Sequence, residues 1–191
     1  MALAAVGLTL AGCGLSKTKS VVVNHTHTVT VTVTHTITTT PKPPADAAAC
    51  SGGQLSGTFA GVPGSAGAGQ IEYALTLTNT SQNPCFVSGI PQAQLLGSTG
   101  SSLPTHVVAG QPGTATAAKI TLTPGASAVA NARFSPDVSG QGDAHSGACQ
   151  PKAHTLRVTP DGGGTVDAAV QPPTSVCEQG RLSFQLFSAS S

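Results

Sequence analysis

Aromatic side chains are scarce in this chain: no tryptophan, one tyrosine and five phenylalanines occur among 191 residues. Its core must be built mainly from Val, Leu, Ile and Ala, which bury less apolar area apiece than rings do. Such a core gains much from covalent cross-links. Charge is scarce too, at 8% of residues with a formal net charge of +1. That excludes the basic footprint of a nucleic-acid partner and long-range steering of a charged ligand. The apolar stretch at residues 1–12 is too short to cross a bilayer as a mature helix.

Catalytic signatures are missing as well. No Gly-x-Ser-x-Gly elbow, His-Glu-x-x-His helix or Walker-type loop occurs. The glycine-rich Gly64–Gly69 leads into strand-like sequence, without the helix that would cradle a phosphate. Glu72, Asp137, Asp143, Asp161, Asp167 and Glu178 are isolated acids, most of them in turn-like sequence. These absences predict no cofactor and a non-catalytic role.

Five cysteines are present, none in a Cys-x-x-Cys pair and none at zinc-finger spacing from a histidine, so a structural zinc site is not expected. Cys50, Cys85, Cys149 and Cys177 form an even set, with Cys13 left over near the N-terminus. Two disulfides and one modified cysteine fit that arithmetic and imply an oxidising, extracytoplasmic compartment. Four cysteines allow three pairings; joining neighbours in sequence, Cys50–Cys85 and Cys149–Cys177, is favoured. Each bridge would contribute roughly 3–4 kcal/mol through the unfolded chain.

Residues 1–12, MALAAVGLTLAG, have the character of a signal-peptide apolar region. Leu10-Ala11-Gly12-Cys13 then resembles a bacterial lipobox, in which Cys13 carries a diacylglyceryl group and becomes the mature N-terminus. Two acyl chains anchor a protein stably to a membrane. No Lys or Arg precedes the apolar region, which departs from the usual pattern and implies a start upstream of Met1. Were the lipobox unused, the chain would be secreted.

Residues 13–49 read as a stalk. Every even position from Thr26 to Thr40 is threonine, while the alternate row carries valines with His25, His27 and His35, and PKPP follows. As an extended chain this is a spacer, since proline breaks any strand ladder. A sharper reading gives the three histidines, which share one face, a metal ion; no acidic or thiol ligand accompanies them.

Residues 50–191 read as an all-β domain. Strand-like runs are predicted at Gln54–Phe59, Gln70–Thr80, Cys85–Ser88, Gln92–Leu96, Thr105–Val108, Lys119–Thr123, Ser127–Phe134, His154–Thr159, Thr165–Val170 and Arg181–Phe187. Alternation is clean in Ile71, Tyr73, Leu75, Leu77 and in Leu182, Phe184, Leu186, and turn chemistry such as Pro124-Gly125 separates the runs. No segment shows a helical apolar period. Tyr73–Pro91 reads as a hairpin, with Asn79 capping its turn and Cys85 opening the return strand.

The strongest cluster of polar chemistry is Asp143 with His145, His154 and His106, in or beside a long Pro136–Pro151 loop closed by Cys149. Loops on rigid sandwiches often carry binding. The plainer reading is a solvated loop pinned by a disulfide, and Arg133 is expected to point outward.

Taken together, Cys50, the Thr78-Asn79 strand end, Cys85-Phe86-Val87-Ser88-Gly89-Ile90-Pro91, the Pro124–Ala128 element and the late pair Cys149 and Cys177 resemble a secreted domain of unknown function widespread in actinobacteria. The resemblance covers about residues 50–188. It implies an immunoglobulin-like antiparallel β-sandwich and an envelope location, often lipid-anchored behind a Thr- or Pro-rich linker, and it carries over no catalytic residue and no ligand. The expectation is therefore a membrane-anchored extracytoplasmic lipoprotein that binds an envelope polymer or protein, with loops Gly97–Pro104, Ala109–Ala118 and Pro136–Pro151 as the expected binding sites. One rival is an envelope-polymer hydrolase, which requires a histidine of that cluster beside an acid. The other is metal capture by the stalk histidines.

Overall fold

The computed structural model describes residues 47–111, 113 and 118–190, all within one compact unit, Ala45–Ser191. Cys13, His25, His27 and His35 lie outside the described residues, as does the leader. Twelve strands follow in order: β1 (Ala48–Ala49), β2 (Leu55–Gly61), β3 (Ile71–Asn79), β4 (Cys85–Val87), β5 (Gln92–Leu96), β6 (His106–Ala109), β7 (Ile120–Leu122), β8 (Ser127–Phe134), β9 (Ala153–Thr159), β10 (Val166–Thr174), β11 (Arg181–Phe184) and β12 (Ser188–Ala189). Two short turns complete the list, a 3-10 turn at Gly52–Gln54 and a tight turn at Cys177–Gly180.

Alternation in the sequence becomes alternation in burial. Tyr73, Leu75, Leu77 and Asn79 on β3, Ala128, Ala130, Ala132 and Phe134 on β8, and Val166, Ala168 and Val170 on β10 face inward. The few aromatics are concentrated rather than scattered. Phe59 sits 5.2 Å from Tyr73, 6.1 Å from Phe184 and 6.4 Å from Phe134, centroid to centroid. The small alanines of β8 leave room for these rings, so a chain poor in aromatics still has an aromatic centre.

Nine strands form one sheet in the order β5-β9-β10-β2-β3-β8-β11-β6, with β12 also on β8. Two pairings, β10 with β2 and β11 with β6, are parallel, and the others are antiparallel. The sheet curls so that its ends approach. Leu103 N–H donates to the Leu95 carbonyl of β5 at 2.9 Å, Leu95 N–H donates to Thr105 Oγ1 at 2.9 Å, and β6 begins at the next residue. The result is barrel-like. A second, three-stranded sheet runs β1-β4-β7, and it takes in Ala48 and Ala49, two residues before the boundary read from the sequence.

The hairpin expected over Tyr73–Pro91 does not form. β3 is paired along its length by β2 on one side and β8 on the other, so its edges are taken. β4 instead joins β1 and β7 in the small sheet. Asn79 organises this crossing. Its side chain is wholly buried, its Nδ2 donates to the carbonyls of Asn83 (2.8 Å) and Leu122 (2.9 Å), and its Oδ1 accepts from Ser81 N–H and Oγ. Both donor and both acceptor sites of the amide are thus used. The strand expected over Arg181–Phe187 also stops early, at Phe184, where Gln185 N–H turns to the Asn131 carbonyl.

Candidate functional site

The 135–151 loop folds back on the turn Cys177–Gly180, and two clamps hold them together. One is the disulfide between Cys149 and Cys177. The other is the carboxylate of Asp143, a buried residue. Its Oδ2 accepts from Gly140 N–H (2.8 Å) and Glu178 N–H (2.6 Å), and its Oδ1 accepts from Gln150 Nε2 (2.7 Å) and Gln179 N–H (3.0 Å). The Gln150 amide, helped by these backbone donors, holds the Asp143 carboxyl well below the usual carboxylate range, although burial acts upward.

What the carboxylate holds is strained backbone. Glu178 (φ 54°) and Gln179 (φ 57°) are both left-handed, followed by Gly180 (φ 74°). Two consecutive side-chain-bearing residues in this region cost about 1–2 kcal/mol each. With their N–H groups aimed at one carboxylate, the left-handed pair makes a small anion nest, occupied here by the protein's own Asp143. Gly140 permits the approach, since a Cβ there would lie 2.8 Å from Glu178 Cγ.

Two open clefts lie beside this clamp. One is lined by Gln70, Arg133, Ser135, Glu178, Arg181 and Ser183. The other is lined by His106, Val108, Gly140, Gln141 and again Glu178 and Arg181. Strand register sets their walls: Arg133 of β8 stands opposite Glu72 on one side and Ser183 on the other, and Arg181 of β11 stands opposite His106 of β6.

A family described as "Domain of unknown function (DUF4232)" matches residues 50–188, nearly the whole of the folded unit. The chain belongs to this family. No curated protein and no solved structure matches it. The match begins at Cys50 and spans both bridges of this DUF4232 domain, Cys50–Cys85 and Cys149–Cys177.

The polar cluster read from the sequence is not assembled as such. His106, His145 and His154 are all exposed, and among the described residues none shares a hydrogen bond or ion pair with an acid. Asp143 accepts instead from Gly140, Gln150, Glu178 and Gln179. Its carboxylate and the sulfurs of Cys149 and Cys177 lie within 4.8 Å of one another, but the sulfurs are bonded together and the oxygens are filled by N–H donors, so the trio is no free ligand set. Of the other loops singled out, Gly97–Pro104 packs on β5 through Leu103. Ala109–Ala118 is described only in part.

Sequence reasoning missed Glu178, Gln179 and Arg181. Their only signal is Gly180, placed between a cysteine and a strand, where a positive φ is needed and a Cβ would run into the Pro104 carbonyl. A third, shallow cleft bordered by Leu77, Val87, Ile90, Val158 and Phe187 is mainly apolar. Its carboxylate, on Asp161, accepts from Ser88 Oγ at 2.7 Å.

Proposed function

We propose that this DUF4232 protein is an extracytoplasmic lipoprotein of an actinobacterial envelope, anchored through acyl chains on Cys13, whose domain binds an envelope component without catalysis. The observation that carries the binding role is the clamped end of the domain. Left-handed strain held by a buried carboxylate and a disulfide, beside two open clefts, is the kind of local cost that collects at ligand sites. The address is supported by Leu10-Ala11-Gly12-Cys13 and by two disulfides, which persist in oxidising compartments. The exposure of His106, His145 and His154, each without an acid partner, supports binding over hydrolysis.

On this reading the body is an immunoglobulin-like sandwich, the curled sheet supplying both layers around the Phe59 cluster, with the binding at its loop end. The test is metabolic labelling with an alkyne fatty acid of the full chain and of Cys13→Ser, followed by fractionation. Label on the wild type in the membrane, with none on a released variant, is expected. An unlabelled wild-type chain in the cytosol contradicts the proposal.

A further inference from the structure

The polar side chains around the two clefts fall into two groups. Ser135, Asp143, Gln150 and Gln179 face inward chemically: Ser135 Oγ bonds Val138, and the others bond one another and the loop backbone. These build the wall. Gln70, Arg133, Gln141, Ser183 and His106 form no side-chain hydrogen bond or ion pair among the described residues, and they line the clefts. Arg181 has only a 3.9 Å contact with Glu178, both side chains being well exposed, so that pair is worth little and yields readily.

The contrast with the third described sheet arginine is informative. Arg157 lies opposite Asp167 and meets it with two bonds, at 2.8 and 2.9 Å. At Arg133 the residue in the matching position is Glu72, yet the guanidinium forms no ion pair with it. One arginine is therefore satisfied by its own sheet, while two lie in one cleft with their donor forks available.

From this the geometry points to a binding site for an acidic saccharide, with a carboxylate or phosphate held between Arg133 and Arg181 and neighbouring sugar hydroxyls meeting Gln70, Ser183 and Gln141. Guanidinium forks match planar or tetrahedral oxyanions, and uncommitted amides and hydroxyls both donate and accept. The inference rests on the reading of this end of the domain as a binding surface. A lipid surface fits less well, since the patch lacks the polybasic cluster that anionic headgroups attract. A protein partner fits less well too: Val138, 54% exposed, is the one exposed large hydrophobic among the described residues, so anchors for a hot spot are lacking.

The experiment uses the purified full chain and calorimetric titration with four probes: an oligogalacturonate, an oligomeric glycerol phosphate, neutral dextran of similar length, and phosphatidylglycerol vesicles. Expected is binding of one or both acidic oligomers, weakened about tenfold in Arg133→Gln and again in Arg181→Gln, and weakened by added salt. Arg157→Gln, with its arginine outside the clefts, should bind as wild type. The acidic oligomer that binds identifies the anion as carboxylate or phosphate. Equal binding of dextran overturns the anion assignment and leaves the binding role standing. Preference for vesicles, insensitivity to both arginine variants, or no binding to any probe overturns the inference. Melting curves of both variants, at exposed positions, establish that they fold.

Discussion

Removing the Cys149–Cys177 bridge as Cys149→Ala/Cys177→Ala separates what the covalent bond does from what the carboxylate does. The bond closes a loop of sequence separation 28, so its loss should cost about 3.6 kcal/mol through the unfolded chain. The companion variant Cys50→Ala/Cys85→Ala opens a separation of 35 and should cost about 3.8 kcal/mol on the same basis. By global stability alone the two are nearly indistinguishable: urea unfolding should show both, and each should lower Tm by roughly 10 °C for a domain of this size. Local stability tells them apart. The amides of Gly140, Glu178 and Gln179 donate to Asp143, and the left-handed turn relaxes once Cys177 is no longer tied to the loop. Hydrogen exchange at those three amides should accelerate beyond the global change in the 149/177 variant and follow it in the 50/85 variant. A loss below about 1 kcal/mol for either bridge would refute the closure argument. Equal exchange behaviour in the two variants would refute the clamp.

Four further outcomes follow from the same geometry. Asp143→Asn should lower the unfolding midpoint, because an amide places a donor against backbone donors. It should also flatten the acid limb of stability: a depressed carboxyl pKa stabilises above the unfolded value near 4 and is lost as pH falls below it, so wild type but not variant should weaken steeply from about pH 4 downward. Gly180→Ala should leave little folded protein in circular dichroism, since it needs a positive φ and its Cβ meets the Pro104 carbonyl. Phe59→Ala removes the centre of the ring cluster and should cost about 3–5 kcal/mol in denaturant unfolding. Tyr73, whose hydroxyl is pushed up by burial and donates to the Pro172 carbonyl at 2.9 Å, should titrate later in the native chain than in urea. Stability should accordingly fall as pH rises past about 10, and absorbance at alkaline pH reads both.

Strand positions were legible because burial on one face leaves a period of two. Ser127–Phe134 shows this: its inward residues are Ala128, Ala130, Ala132 and Phe134. Partner choice was not legible. Nothing in Tyr73–Pro91 reveals that both edges of β3 are claimed by strands before and after it, so the local signal of strand, polar turn and strand suggested a hairpin where the chain crosses between sheets. Asn79 carried a turn signal, and its burial depends on Leu122, 43 residues away.

At the candidate site the same limit applies to charge. Asp143 stood out in the sequence for its nearness to His145, but its donors include N–H groups 35 and 36 residues on, and backbone N–H groups leave no trace in composition. Arg181 was read as the start of a strand and nothing more. Its pairing into one cleft with Arg133 follows from the registers of β8, β11 and β6, which alternation cannot supply.

Thiol accounting on material taken from native membranes tests most directly the proposal of an exported, lipid-bearing chain with a covalently braced domain. Alkylation before and after reduction, followed by peptide mass spectrometry, should find Cys13 at the N-terminus carrying acyl groups, with Cys50 joined to Cys85 and Cys149 to Cys177. An unmodified Cys13 inside a longer peptide, with the other four thiols alkylated before reduction, would contradict it.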